Sequence, residues 1–219
     1  MVIIVDVGLQ GRSVLLAIIH QVETVILSLS SKVGEVYDTK CVVENIRKRI
    51  GWMFWGSFFG RDKGPCLFWE KEWDSITAAS YSERIVPLMH GMVSIRQDLQ
   101  VMQDNAPSHK AAQTLRELSE RQITPIEWPP YSPDLNPIEN VWNMMKNYIQ
   151  FKYPDLGKGR QRSQDELRDI VKESWDRAVD ENELDRLIKS MPRRIRSVCE
   201  AGGGHTKYFE FCRKILFVA

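Results

Sequence analysis

The sequence predicts an α/β domain: a mixed central sheet flanked by helices, with extra helices at the C-terminal end. Three observations predict it. Short β-branched and aromatic runs crowd the first third of the chain, strands and helices alternate in the middle, and the last third carries helical patterns only. A chain of 219 residues can bury one good core, so one domain over residues 1–219 is expected.

Taken in order, residues 2–7 (VIIVDV) form a β-branched run that stops at Gly8, as a buried strand would. Residues 14–19 and 25–29 are two further strand candidates. Residues 52–59 (WMFWGSFF) lie between Gly51 and Gly60 and read as an aromatic-rich strand, with 66–69 pairing to it across a turn at 61–65. Residues 80–88 read as a helix. A short strand at 99–103 leads into Asp104-Asn105-Ala106-Pro107 and a helix over about 109–121, followed by a strand at 123–128. The Pro-rich run WPPYSPDLNP then opens a helix from 137 to about 151. Ser163 and Glu166 have capping-box spacing, and Leu167, Ile170, Val171, Ser174, Trp175 and Ala178 recur behind them at helical spacing. Leu184, Leu187, Ile188 and Met191 mark a last helix, which Pro192 breaks or restarts into a basic segment.

Composition excludes more than it assigns. A formal net charge of +1 supplies no global attraction for a polyanion, so any nucleic-acid surface must come from local clustering. Cys41, Cys66, Cys199 and Cys212 form no CxxC pair and read as reduced thiols, most of them buried, in a cytosolic or nuclear protein. The apolar stretch at 14–29 is interrupted by His20, Gln21, Glu23 and Thr24, which argues for strands and against a membrane span.

The sharpest pattern is VMQDNAPSH at 101–109 followed by WPPYSPDLNPIENVW at 128–142. Asp104 is placed to end a strand and Glu139 to begin a helix, so both can converge at one edge of a sheet, where ligands of α/β domains gather. Clustered carboxylates suit Mg²⁺ or Mn²⁺, hard ions that take oxygen ligands and complete their shell with phosphate oxygens. A pair of such ions can activate a water or a 3′-hydroxyl and stabilise the leaving oxygen at phosphorus. Each residue also has a plain structural reading: an Asx-turn for Asp104, a capping box on Asn136 for Glu139, and turn stabilisation for Asp134.

QDNAPSH with WPPYSPDLNPIENVW resembles the signature of Tc1/mariner (DD34E) transposases, in which 34 residues, here 105–138, separate the last two acids. Similarity extends from Glu35-Val36-Tyr37 to Gly60, to Ser190-Met191-Pro192-Arg193-Arg194 and to Gly204-His205-Thr206-Lys207-Tyr208, so it is clearest over 35–208. The resemblance implies an RNase H-like fold, with Asp104 and Glu139 as the second and third catalytic, metal-binding carboxylates. It implies Mg²⁺ or Mn²⁺, two ions if active, and cleavage and strand transfer of DNA. Transposon ends and target DNA, a homodimer and a nuclear location are implied with it.

The sequence departs from the family at its start. The paired helix-turn-helix modules are expected to be missing. Asp6, within VIIVDV, is the candidate first carboxylate for catalysis and metal. Anchored on residues 35–37, however, the family's aspartate falls near Ile18, where no acid stands, and Glu23 is the nearest acid downstream. An inactive remnant that keeps the fold and weak DNA binding is therefore the alternative. Lys158, Arg160 and Arg162, with Arg193, Arg194 and Arg196, are the candidate phosphate contacts. His109 and His205 read as structural or surface residues, and Trp128 as packing its loop on the sheet.

Overall fold

A computed structural model describes residues 2–4, 13–23, 51–130, 132–156, 162–204, 206 and 208. Its sheet is built from β1 (Val2–Ile4), β2 (Ser13–Glu23), β3 (Gly51–Phe59), β4 (Asp62–Trp69) and β5 (Leu99–Met102), in the order β4-β3-β1-β2-β5. Beyond the short β1, β2 pairs directly with β3, antiparallel from Leu16↔Phe58 to Glu23↔Gly51. β5 runs parallel to β2, with Leu15 opposite Val101. The sheet is therefore mixed, as expected.

The helices are α1 (Ala78–Arg84), α2 (Val86–Ile95), α3 (Pro107–Lys110), α4 (Ala112–Glu120), α5 (Ile138–Lys152), α6 (Gln164–Ala178) and α7 (Glu181–Glu200). The core lies between the sheet and α5 and α6. Phe54 of β3 meets Trp142 edge-on at 5.9 Å and Trp175 at 5.6 Å, and all three rings are buried. Gly56 makes room for that contact. A Cβ there would stand 3.1 Å from both tryptophan rings. Gly56→Val is expected to lower stability by about 1–3 kcal/mol through overpacking, measured by urea unfolding; an unchanged midpoint would mean the two rings can move aside.

Several expected elements differ, each for a local reason. The strand expected at 66–69 starts at Asp62, because Gly60, with φ 54°, closes a tighter turn than expected. Residues 123–128 form no strand. Ile126 N–H donates to Val101 O at 2.7 Å, while at the start of the segment Ile123 N–H is tied back to Leu118 O at 2.8 Å. The helix expected at 80–88 is two helices meeting at Ile85, and that at 109–121 splits at Ala111, whose ψ of 139° is extended.

Pro192 does not break α7: Leu184, Leu187, Ile188, Met191 and Arg194 are buried along it, and their burial outweighs the roughly 3 kcal/mol a helical proline costs. The Ser163–Glu166 capping box is present in full. The strand expected at 14–19 lies within the longer β2, while that at 25–29 lies outside the described residues, as do Cys41 and Cys212. Of the two described cysteines, Cys66 is half-buried and Cys199 exposed. Among the described residues no helix is long and apolar enough to cross a membrane.

Candidate active site

The site is assembled where β5 ends. Gln103, buried, accepts from the Tyr81 hydroxyl at 2.9 Å and donates to His109 O at 3.4 Å, which ties the strand end to α1 and α3. Asp104 follows immediately. Its Oδ1 accepts from Ala106 N–H at 3.1 Å, the expected Asx-turn, and from His109 Nδ1 at 2.6 Å. Both bonds land on one oxygen, and 41% of the side chain stays exposed. Asn105 Nδ2 donates to Trp128 O at 2.9 Å, pinning the Pro-rich loop against the strand end. Trp128 is half-buried on the core, as its packing role required.

Glu139 enters from the other side, in the first turn of α5, held there by Trp142 one turn further on. The expected capping box with Asn136 does not form. The helix starts one residue later, at Ile138, with Pro137 as its cap, and Asn136 Nδ2 instead donates to Glu139 Oε1 at 3.4 Å. Glu139 is 8% exposed, and its Oε2 is buried with no hydrogen-bond partner among the described residues. Asn136 Oδ1 and Asn140 Nδ2 are in the same state. Unmatched buried polar atoms cost about 1–3 kcal/mol each, so a cluster of them marks a place built for something other than stability.

The two carboxyls are tuned in opposite directions. Burial raises Glu139 to about 7, with Lys146 opposing and the negative charge of Asp104 adding to the rise. Burial also works against ionised Asp104, yet its carboxyl sits well below the usual range, and the His109 hydrogen bond, the His109 charge and the Ala106 N–H are among the groups that hold it there. The two acids thus feel each other across the site. This donor set, one fixed anion and one buried carboxyl with an unsatisfied oxygen, fits a hard divalent cation. Among the described residues no group of three acids, histidines or cysteines comes together to hold a metal.

The first carboxylate is the weak point. The β2–β5 register, Leu15 opposite Val101, brings Ile18 level with Asp104 when carried three residues on, and Ile18 itself pairs with Gly56. Asp6 lies outside the described residues. The described part of β1 advances from the level of Ser57 to that of Phe59, away from Gly56 and the Asp104 level. Glu23 ends β2 opposite Gly51, five residues beyond the Ile18 level.

Among the candidate phosphate contacts, Arg193 and Arg196 are exposed on α7, and Arg162 lies 3.7 Å from Glu166. Arg194 is a correction. It is 4% exposed, its Nε donates to Ser190 Oγ, and its guanidinium lies over the Tyr208 ring, so its charge is used inside the protein. Lys158, Arg160 and His205 lie outside the described residues. His109, expected to be structural or on the surface, is buried against Asp104. Its signal was its place in QDNAPSH, five residues after the acid.

Comparison with known proteins agrees with this geometry. The DDE superfamily endonuclease family matches residues 38–157. The Tc1 transposase of Caenorhabditis elegans is 28% identical over 177 residues, 80% of this chain and 62% of the relative. The Tcb2 transposase of Caenorhabditis briggsae is 28% identical over 71% of this chain and 54% of its own length. The chain therefore spans about half to three-fifths of the length of these relatives. Among solved structures, the Mos1 transposase paired-end complex with left transposon end aligns with a TM-score of 0.68 and 20% identity, over 93% of this chain and 58% of that one. The Mos1 catalytic domain with raltegravir and Mn aligns at 0.57 and 18%, over 72% and 78%. These likenesses show the RNase H-like fold, and with more than half of its length matched by the family, the chain belongs to the DDE superfamily endonucleases.

Proposed function

We propose that the chain is a transposase catalytic domain that cleaves DNA and transfers the cut strand, with Asp104 and Glu139 holding Mg²⁺ or Mn²⁺ beside the scissile phosphodiester. The observation that carries this reading is the buried, unpartnered Oε2 of Glu139, on a carboxyl near enough to Asp104 for that charge to raise it. A bound divalent ion, or two, would supply charge stabilisation and an activated oxygen nucleophile. The protein's part is orientation. Asn105 holds the loop that leads to α5, Gln103 fixes the strand end, and Trp142 seats the first turn of α5 on β3. Structures of Mos1 with Mn, with Mg, as paired-end complexes and as a strand transfer complex support the same ions and DNA as partner for this chain. Arg193 and Arg196, with Lys158, Arg160 and Arg162, are proposed to hold the DNA backbone, in a homodimer acting in the nucleus. Supercoiled plasmid is expected to be nicked in Mn²⁺ and left intact in EDTA; equal nicking in both would overturn the metal reading.

A second reading rests on the β2–β5 register. Ile18, and no acid, is the residue of β2 level with Asp104, which supports a chain that binds metal and DNA but cleaves slowly or not at all. Ile18→Asp is then expected to tighten Mn²⁺ binding by at least about fivefold, since each added anionic ligand at close range contributes on the order of 1–4 kcal/mol. Calorimetry checks the affinity. A wild-type chain that nicks as fast as the Ile18→Asp variant would remove this reading.

A further inference from the structure

We infer that His109 is the positioning residue of the site: its buried imidazole holds the Asp104 carboxylate in a single orientation and leaves one oxygen, Oδ2, to the metal. The inference rests on the metal-binding reading above and deepens it. His109 is 2% exposed, and its Nδ1 lies 2.6 Å from Asp104 Oδ1 and 3.3 Å from Asp104 O. A contact this short to a carboxylate oxygen makes Nδ1 the protonated, donating nitrogen. The ring cannot swing away. Tyr81, buried, lies against it at 4.5 Å, and Gln103, held by the Tyr81 hydroxyl, donates to the His109 carbonyl.

The consequence for Asp104 is geometric. Ala106 N–H and His109 Nδ1–H converge on the same oxygen, so χ2 of Asp104 is fixed from two directions and Oδ1 is occupied by the protein. Oδ2 takes neither bond, on a side chain that remains 41% exposed. Asp104 is thereby prepared as a one-oxygen ligand before any ion arrives. Helix α3 exists to deliver this contact: Pro107 starts it, His109 falls on its inner side, and the extended Ala111 ends it before α4 turns off along α1.

Partners of this kind, which hydrogen-bond a metal ligand from behind, typically account for 10–100-fold in metal affinity. Two substitutions separate the donor from the bulk of the ring. His109→Asn keeps an N–H donor where Nδ1 stood; His109→Gln moves it out to the place of Nε2. With Mn²⁺ alone as titrant in calorimetry, His109→Gln is expected to bind about 10–100-fold more weakly than the wild-type chain, and His109→Asn within about threefold of it. Wild-type affinity in His109→Gln, or equal losses in both variants, would overturn the inference while the metal reading stands on the loss seen in Asp104→Ala. If the wild-type chain takes up no Mn²⁺, the metal reading falls and this inference with it. Should a variant fail to fold, nitrogen NMR of the wild-type imidazole decides: Nδ1 is expected to stay protonated when Mg²⁺ saturates the site, and its deprotonation would overturn the inference.

Discussion

Asp104→Ala is expected to slow Mn²⁺-dependent nicking of supercoiled DNA by roughly 10³-fold. A metal acting on a phosphoryl oxygen supplies several kcal/mol of charge stabilisation, and each 1.36 kcal/mol is a factor of ten in rate. Asp104 matters more than its share of a ligand set suggests, because it is the acid held firmly ionised, while Glu139 sits at about 7 and is partly protonated at neutral pH. Without Asp104 the apo site has, among the described residues, no fixed negative charge with which to attract a dication beside a polyanion. Asp104→Asn is the sharper control, since its side-chain oxygen can still accept from Ala106 N–H and His109, and only the charge is lost. The two variants are expected to be equally slow under single-turnover conditions. The comparison is made in the wild-type chain and again beside Ile18→Asp, where the rate is expected to be higher. Nicking that persists in Asp104→Asn would sink the assignment of Asp104.

What the sequence made legible follows the range of the interactions involved. Asp104 and Glu139 could be read because they lie in long contiguous motifs whose flanking residues build the local turns themselves: Asn105 and Ala106 around one acid, Asn136 and Pro137 around the other. The absence of an acid near Ile18 was also legible, since a count back from residues 35–37 and the parallel register of β2 with β5 lead to the same residue. His109 was legible only as a member of QDNAPSH, and its contact with Asp104 was not. Its partner is only five residues away, but the contact depends on α3 being one short turn that ends at Ala111, and helical periodicity over 109–121 gave no sign of that break.

Arg194 shows a different failure. Leu184, Leu187, Ile188, Met191 and Arg194 fall on one buried stripe at spacings of three and four or one residue, so the continuation past Met191 was readable as a helix face. Pro192 concealed it, because a proline is weighed as a break unless the burial on both sides of it is known. Once α7 runs through, Arg193 and Arg196 face out and Arg194 faces in, and three adjacent basic residues no longer form one patch. Residues 123–128 failed in the opposite sense. Their pattern is that of a strand beside β5, and a hydrogen bond from Ile126 to Val101 is made, yet Ile123 N–H is tied back to Leu118 O at the end of α4.

The buried carboxyl of Glu139 predicts how the apo protein responds to pH. Its folded value of about 7 lies above the ordinary 4.5, so between those values the folded chain holds a proton that the unfolded chain has released. The sign follows directly: this group's contribution is most favourable to folding below about pH 4.5, declines as pH rises to about 7, and is flat above it. The difference corresponds to about 3 kcal/mol. His109 opposes it over part of this range. Burial lowers its pKa, so the unfolded chain binds more protons just below 6.5 and stability from His109 rises with pH there. Asp104 acts lower down, losing its contribution only as pH falls below its ordinary 3.8. Glu139→Gln isolates one group from the others, because the histidine and aspartate contributions are largely common to both proteins. At pH 4, where the carboxyl is neutral in the fold and mostly neutral in the unfolded chain, the two are expected to have similar urea stability. At pH 8 the variant is expected to be more stable by up to about 3 kcal/mol, since it buries an amide where the wild type buries a charge. Saturating Mn²⁺ at pH 8 should reverse the order, because a bound cation stabilises the ionised carboxyl in the folded state alone and adds its binding free energy to the stability of the wild type. Equal stability of the two proteins at pH 8 without metal would mean that Glu139 is solvated or hydrogen-bonded in solution, and its unpartnered Oε2 would no longer mark a ligand site.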